Sequence, residues 1–324
     1  MHMAAVMEPV GTLDPPPTRG RRGVKRRRRF ESTPYVLVIP TILVIVLTLG
    51  VPLYKIVMLA FQHQSKRQLY TNQPGDWVGF QNFSDVLSDK EFWSSVERTF
   101  IITILLVVFS MLFALGLALL LNLVSKWLRT SLMVLLLFVW AIPQIVAVEL
   151  YAWFTDPNFG VVNYLLTKLG FSGFKTHDWF VNQTQGWIVI MALVIWQALP
   201  FLTVTLSAGM SMVPKELGEA ARMDGANPIQ VFRTVTYPTI KPLLVIATSL
   251  SVIWDFQLFG QAFVIRQNKP EPMYQVLGIF SYTEAFGHSD YGLGAAISIL
   301  TILAMLGMMV FYVRQMLRIG DGDI

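Results

Sequence analysis

Six side chains interrupt stretches that are otherwise apolar: Glu149, Gln197, Trp254, Asp255, Gln257 and Gln261. Carboxylates and planar amides beside an indole face suit a solute rich in hydroxyl groups. Two acids also suit an ion or proton relay, or a pair of acids acting together. The plainer reading is that Asp255 and Glu149 bond neighbouring helices or pair with Lys55 or Arg266. A charge at the centre of a membrane helix costs roughly 3 kcal/mol on insertion scales, so such residues mark a pathway or a packing bond. The chain has no Cys, which excludes disulfides, thiolate metal sites and Cys nucleophiles. His2, His63, His177 and His288 are too far apart in sequence for metal-ligand spacing. No catalytic residue and no metal ligand is assigned.

A second set of residues forms a punctuated stretch from Lys215 to Pro238, KELGEAARMDGANPIQVFRTVTYP. Pro214 stands where a helix begins, and Glu216 and Glu219 complement the positive end of the helix dipole. Gly225 is placed to end that helix in a left-handed cap. Asn227 and Pro228 then read as the N-cap and first residue of a second short helix, with Ile229, Phe232 and Val235 as an apolar row. Pro238 and Pro242 are expected to stop it before the next apolar run. The pair presents Leu217, Ala220 and Ala221 outward. A solvated connector needs none of this punctuation, whereas a docking element that passes a partner's motion to the membrane does.

The elements that must position both sets follow from composition. Of 324 residues, 54% are hydrophobic and 14% charged, with a mean hydropathy of +0.55. A soluble chain carries roughly a quarter charged residues. Six apolar runs are long enough to cross a bilayer, about 35–61, 99–123, 131–154, 187–210, 243–265 and 291–313. The expected fold is therefore an all-α membrane protein with six transmembrane helices. Eight of the 25 basic residues lie in the tail before the first run, within PPPTRGRRGVKRRRRF. Positive charge beside a span holds that end in the cytoplasm, so both termini and the loop 211–242 are expected inside. The tail reads as an uncleaved orientation signal and not as a nucleic-acid-binding arm.

Residues 1–34 read as a disordered tail, 35–318 as the transmembrane domain and 319–324 as a short C-terminal tail. Asp255 falls near the middle of the fifth run, with Glu149 expected opposite it in the outer half of the third. In the second run Ser110, Ala114 and Ala118 form a small-residue face that lets a neighbouring helix approach. Pro40, Pro52, Pro143 and Pro200 are candidates to kink their spans. Outside, Trp77, Phe80, Phe83, Val86 and Leu87 fall at helical spacing, and FGVVNYLLTKLGF reads as a short interfacial helix.

The punctuated stretch also carries a resemblance. Glu219-Ala220-Ala221, then Gly225, then Val235-x-Tyr237-Pro238 resembles the EAA motif of ABC-importer permeases, whose usual ending is Ile-x-Leu-Pro. MDGA, FRTVTYPTIKP, WVGFQNFSDVLSDKEFWSSVERTF, GLALLLN, FGVVNYLL, WQALPF and YTEAFGHSDYGLGAAIS resemble landmarks of the carbohydrate-uptake branch, over about 35–318. That branch includes the inner-membrane subunits of maltose and glycerol-phosphate transporters. The resemblance implies the type I ABC-importer permease arrangement, in the plasma (inner) membrane of a prokaryote. It implies a second, homologous permease subunit, a cytoplasmic ABC ATPase dimer, an extracytoplasmic solute-binding protein and a sugar substrate. The loop would be the coupling helix, with Glu219, Ala220, Ala221, Asp224 and Gly225 at the docking surface.

No cofactor is expected in this chain, because ATP and Mg²⁺ would be bound by the partner ATPase. GFSGFKT lacks the Gly-Lys-Ser/Thr of a phosphate-binding loop. The sequence departs from the branch at Gly260, where an acid is common, and at IRQNKPEP, where Gly-Gly-Pro is usual. An ion-gradient-driven carrier or channel using Asp255 or Glu149 stays open beside this reading, as does an intramembrane enzyme with those two as paired acids.

Overall fold

A computed structural model of the chain describes residues 33–71 and 73–321. The expectations placed on the basic tail lie outside the described residues, apart from its last two positions. The described residues fall into two compact units that divide between residues 51 and 52. In the first, α1 (Thr33–Ile45) is followed by a π-helical turn at Val46–Gly50. In the second, which takes all of α2 (Val51–Ala60) but its first residue, that helix leads into a small antiparallel pair, β1 (Gln62–His63) with β2 (Asp76–Trp77), which brackets α3 (Lys66–Tyr70). The Asn82 amide donates to the Ala60 and Gln62 carbonyls at 2.9 Å each and pins this corner to α4 (Gln81–Ser88). Of the five apolar residues expected on one outer helix, Trp77 belongs instead to β2 and stacks on Phe61 at 5.7 Å.

The long elements are α5 (Lys90–Leu123), α6 (Lys126–Trp140), α7 (Gln144–Phe154), the short α8 (Val161–Lys168), and α9 (Gln183–Ser211). They are followed by α10 (Lys215–Met223), α11 (Pro228–Val231), α12 (Tyr237–Phe256), α13 (Gly260–Ile265), α14 (Leu277–Tyr282) and α15 (Tyr291–Asp321). Five helical stretches are long and apolar enough to cross a membrane: Val38–Ala60, Lys90–Leu123, Gln183–Ser211, Pro228–Ile265 and Tyr291–Gln315. The sixth expected span is α6 with α7, bent by 95°. Pro143 accounts for the break, since it has no N–H to donate and disfavours helix at the residue before it.

The helix pair α5 and α9 forms the centre of the bundle. Ser110, Ala114 and Ala118 of α5 are fully buried, and Leu202, Leu206 and Met210 of α9 fill the space beside the two alanines. In a bilayer this contact is held by close packing and not by exclusion of water, so small residues are what make it tight. At its far end α9 is tied to α6 by Arg129, which donates to the Ser207 and Ser211 hydroxyls at 2.9 and 2.8 Å.

Two prolines do not end their helices as expected. After α11 the helix widens into a π-turn at Phe232–Thr236 and continues directly into α12, passing Pro238 and Pro242. A proline ring in a helix collides with the carbonyl four residues earlier. For Pro238 that carbonyl belongs to Thr234, inside the widened turn, where the Tyr237 N–H reaches back to Phe232. The extra residue moves the colliding carbonyl aside, and the helix survives.

Candidate functional site

The punctuated stretch folds as a rigid corner. Helix α10 begins after Pro214, one residue later than expected, and ends in a double cap. The Gly225 N–H bonds the Arg222 carbonyl and the Ala226 N–H bonds the Ala221 carbonyl, both at 3.0 Å. Gly225 has φ +85°, the left-handed conformation this cap requires. Asn227 then opens the next helix with a reciprocal pair: its Oδ1 accepts from the Gln230 N–H at 2.9 Å, and the Gln230 Oε1 accepts from the Asn227 N–H at 2.8 Å. Gln230 was not singled out from the sequence, although Asn-x-x-Gln is the spacing of a capping box. Glu219, Ala220, Asp224 and Gly225 are exposed and Ala221 is half-buried. Leu217, Met223 and Ile229 stand out at 52%, 87% and 71% exposure, so this corner offers an apolar surface rimmed by charge.

The polar residues of the spans divide between three places. Four converge where the helices break. Gln197, Trp254, Asp255 and Gln261 line one cavity of about 240 Å³ together with Trp140, Val194, Ala198, Phe201 and Leu258. A second cavity of about 220 Å³ shares Trp140, Gln197 and Gln261 and adds Val139, Ile142 and Gln144. The fifth run is not one helix: α12 ends at Phe256 and α13 begins at Gly260, so Asp255 is the penultimate residue before the interruption. The break in the third run, at residues 141–143, faces the same pair of cavities through Trp140 and Gln144. Unwound backbone at such depth is tolerated where it lines a cavity. Gly260 makes the close approach of α13 to α7 feasible, since a β-carbon there would lie 2.8 Å from the Gln144 amide nitrogen. Trp140, Gln144 and Phe201 were missed from the sequence.

Glu149 and Gln257 are not part of this group. Glu149 lies in a separate cleft of about 470 Å³ with Trp153, Asp156, Phe159, Asp178, Arg266 and Gln267. It is five residues beyond Gln144 on α7, which carries it more than a helical turn away. Gln257 is the first residue of the break and is turned toward α15, where its amide donates to Met305 Sδ at 3.5 Å. Neither Glu149 nor Asp255 takes part in an ion pair among the described residues. Arg266 pairs instead with Glu271, with its guanidinium over the Phe180 and Tyr274 rings at 4.7 and 5.3 Å. The Arg266 hydrogen bond holds the Glu271 carboxyl below its ordinary range, and Glu271 raises Arg266 in turn. A slightly larger cleft, about 480 Å³ between α5 and α9, is lined by apolar residues such as Ile101, Leu105 and Ile188 and by Glu97 and Arg98, and none of the candidate residues reaches it.

Among the described residues no group of three or more His, Cys, Asp or Glu could hold a metal ion. Separation of Glu149 from Asp255 removes the geometry a pair of acids would need.

Comparison with known proteins places the chain. The diacetylchitobiose uptake system permease protein DasB of Streptomyces coelicolor is 36% identical over 307 residues, covering 95% of this chain and 93% of that one. The sulfoquinovosyl glycerol transport system permease protein SmoG of Agrobacterium fabrum is 29% identical, covering 86% and 88%. Among solved structures, a bacterial ABC transporter involved in import of the acidic polysaccharide alginate superposes with a TM-score of 0.75. It is 21% identical, over 89% of this chain and 96% of that one. Residues 110–320, which contain the capped corner and both helix breaks, match the family described as the inner membrane component of binding-protein-dependent transport systems, and the chain belongs to that family.

Proposed function

We propose that this inner-membrane permease subunit forms half of the path of an ATP-driven sugar importer. The observation that carries the proposal is the capped corner at 215–230, exposed, apolar at its surface and continuous by helix with the residues around Asp255. Its partners would be a second permease of the same family, an ATPase dimer and a binding protein that delivers the sugar. The family description supports the binding protein, and the names of the two relatives support a sugar or sugar derivative.

In this reading the ATPase receives Leu217, Glu219, Ala220, Ala221, Asp224 and Gly225 in a surface cleft, on the cytoplasmic side with both termini. ATP and Mg²⁺ are bound by that partner. The sugar passes the cavity lined by Gln197, Trp254, Asp255 and Gln261, where indole faces and planar polar groups match its ring and hydroxyls. Glu149 sits nearer the outer entrance, in the cleft with Trp153 and Arg266. Gln257 is turned toward Met305 and does not line this cavity. Weak binding in the cavity suffices if the binding protein supplies the affinity.

The test is uptake of chitooligosaccharide into vesicles carrying the assembled complex, with and without internal ATP. Uptake that requires ATP and the binding protein supports the reading. Uptake driven by a proton or sodium gradient without ATP overturns it in favour of the ion-coupled carrier.

A further inference from the structure

The cleft of about 480 Å³ between α5 and α9 changes character along its length. On α5 it is lined by Ser94, Glu97 and Arg98, and then by Ile101, Ile102 and Leu105, all on one face of a continuous helix. On α9 Gln183 and Thr184 come first, followed by Trp187, Ile188 and Met191. The two helices run in the same direction, since further along Ala114 and Ala118 pack beside Leu202 and Leu206. Both linings therefore turn from polar to apolar at one level. That level is where the apolar runs 99–123 and 187–210 begin, so the cleft straddles the boundary between headgroups and hydrocarbon.

Its polar end holds one charge of each sign. Neither Glu97 nor Arg98 forms an ion pair among the described residues. Arg98 is half-buried and donates from Nη1 to the Gln275 carbonyl, which uses one of its five N–H groups. Glu97 is exposed and stands one residue farther from the apolar floor.

We infer that this cleft binds one phospholipid with a zwitterionic, amine-bearing headgroup, phosphatidylethanolamine. The order of groups matches. Arg98, nearer the hydrocarbon, takes the phosphate with its remaining N–H groups. Glu97, farther out, takes the ammonium, and the start of an acyl chain lies along Ile101, Leu105, Ile188 and Met191. A free phosphate leaves the apolar floor bare, and a bare hydrocarbon leaves both charges unmatched. An anionic lipid gives Arg98 its partner and sets Glu97 against a like charge. The headgroup also sits against the loop after α13, because Gln183 Nε2 and Trp187 Nε1 donate to the Met273 carbonyl at 3.3 and 3.1 Å. The leaflet follows from the orientation proposed above, while the site itself is independent of the importer reading.

The test is native mass spectrometry of the full chain in mild detergent. Dioleoyl phosphatidylethanolamine, dioleoyl phosphatidylglycerol and glycerophosphoethanolamine, which has the headgroup without chains, are added separately. The chain should retain one phosphatidylethanolamine at least about five-fold over phosphatidylglycerol, the scale of one charge near a headgroup. Glycerophosphoethanolamine should not be retained. Glu97→Gln should bring the two lipids to within about two-fold. Ile188→Trp, which fills the cleft from an exposed position, should abolish retention, whereas Ile104→Trp, exposed on α5 but outside the cleft, should not. Equal retention of both lipids by the native chain overturns the inference, as does an unchanged preference in Glu97→Gln. Retention in Ile188→Trp, equal loss in Ile104→Trp, or capture of the chainless headgroup overturns it too. So does loss of the lipid when the chain is purified with a second permease, which makes the cleft a contact between subunits.

Discussion

Replacing Gly225 separates backbone conformation from surface contact at the proposed coupling corner. A β-carbon built on Gly225 meets no atom of the chain within 4 Å, so a side chain there has room. Its φ of +85° is the obstacle. An L-residue held in the left-handed region costs roughly 1–2 kcal/mol, less for Asn, whose side chain bonds locally. A β-branched residue stands at the costly end of that scale. A penalty of that size lowers the ratio of formed to unformed corner by roughly 5- to 30-fold. Sugar-stimulated ATP hydrolysis by the complex in proteoliposomes should therefore fall in the order Gly, Asn, Ala, Val. The Val variant should show the largest loss, bounded by that factor of roughly 30. Thermal unfolding of the complex serves as the control, because the corner is remote from the buried contact between α5 and α9. Wild-type stimulation in Gly225→Val refutes the reasoning. Equal losses in Asn and Val variants show that bulk at the docking surface, and not φ, is what the corner cannot tolerate.

Further expectations concern topology, packing and pH. Cys introduced at Ser84 should react with an impermeant thiol reagent from outside and Cys at Met223 only from inside; outside labelling of the second overturns the orientation. Both positions are exposed and the native chain has no Cys, so the background is clean. Gly186→Ala should destabilise the chain by roughly 1–3 kcal/mol, seen as a lower midpoint of thermal unfolding in detergent. The added carbon falls 2.7 Å from Tyr274 Cζ, and Tyr274 is fully buried with its hydroxyl donating to the Phe180 carbonyl at 2.9 Å. Glu271→Gln should remove a small acid-dependent part of stability. Because the hydrogen bond from Arg266 lowers the Glu271 carboxyl from 4.5, the pair stabilises the fold above that pH and loses its effect as pH falls through the lowered value. The Glu271 side chain is 42% exposed, so the difference between native and variant melting on acidification is screened and modest. An equal acid sensitivity in both refutes the assignment.

Local punctuation was readable from residue types. Gly225, Asn227 and Pro228 each have one low-energy use in that order, and the structure uses them so. The small-residue stripe of α5 was readable for the same reason, since only one kind of neighbour makes use of it. The prolines misled because their effect depends on the turn before them. The π-turn at Phe232–Thr236 has no residue signature of its own, and it turns Pro238 from a stop into a continuation. Directions of side chains near mid-span were the least readable. Helical phase predicts which amides share a face only while the helix runs on, and the break at residues 257–259 resets that phase. Gln257 therefore turns toward α15 while Gln261 joins Gln197. Glu149 and Gln144 share the unbroken helix α7, five residues apart, and the residue next to the break at Pro143 is the one that meets the cavity.

Survival of the helix past Pro238 has a mechanical consequence. From Pro228 to Phe256 the chain is a single shaft, about 43 Å long at 1.5 Å per residue. A shaft of that length turns a small angle into a long stroke: a tilt of about 10° at one end sweeps the other through about 7 Å. The capped corner grips one end so that the angle is not lost there. At the other end the chain unwinds for residues 257–259, and in the importer proposed above the stroke would be taken up at that joint, one residue from the Asp255 carboxyl.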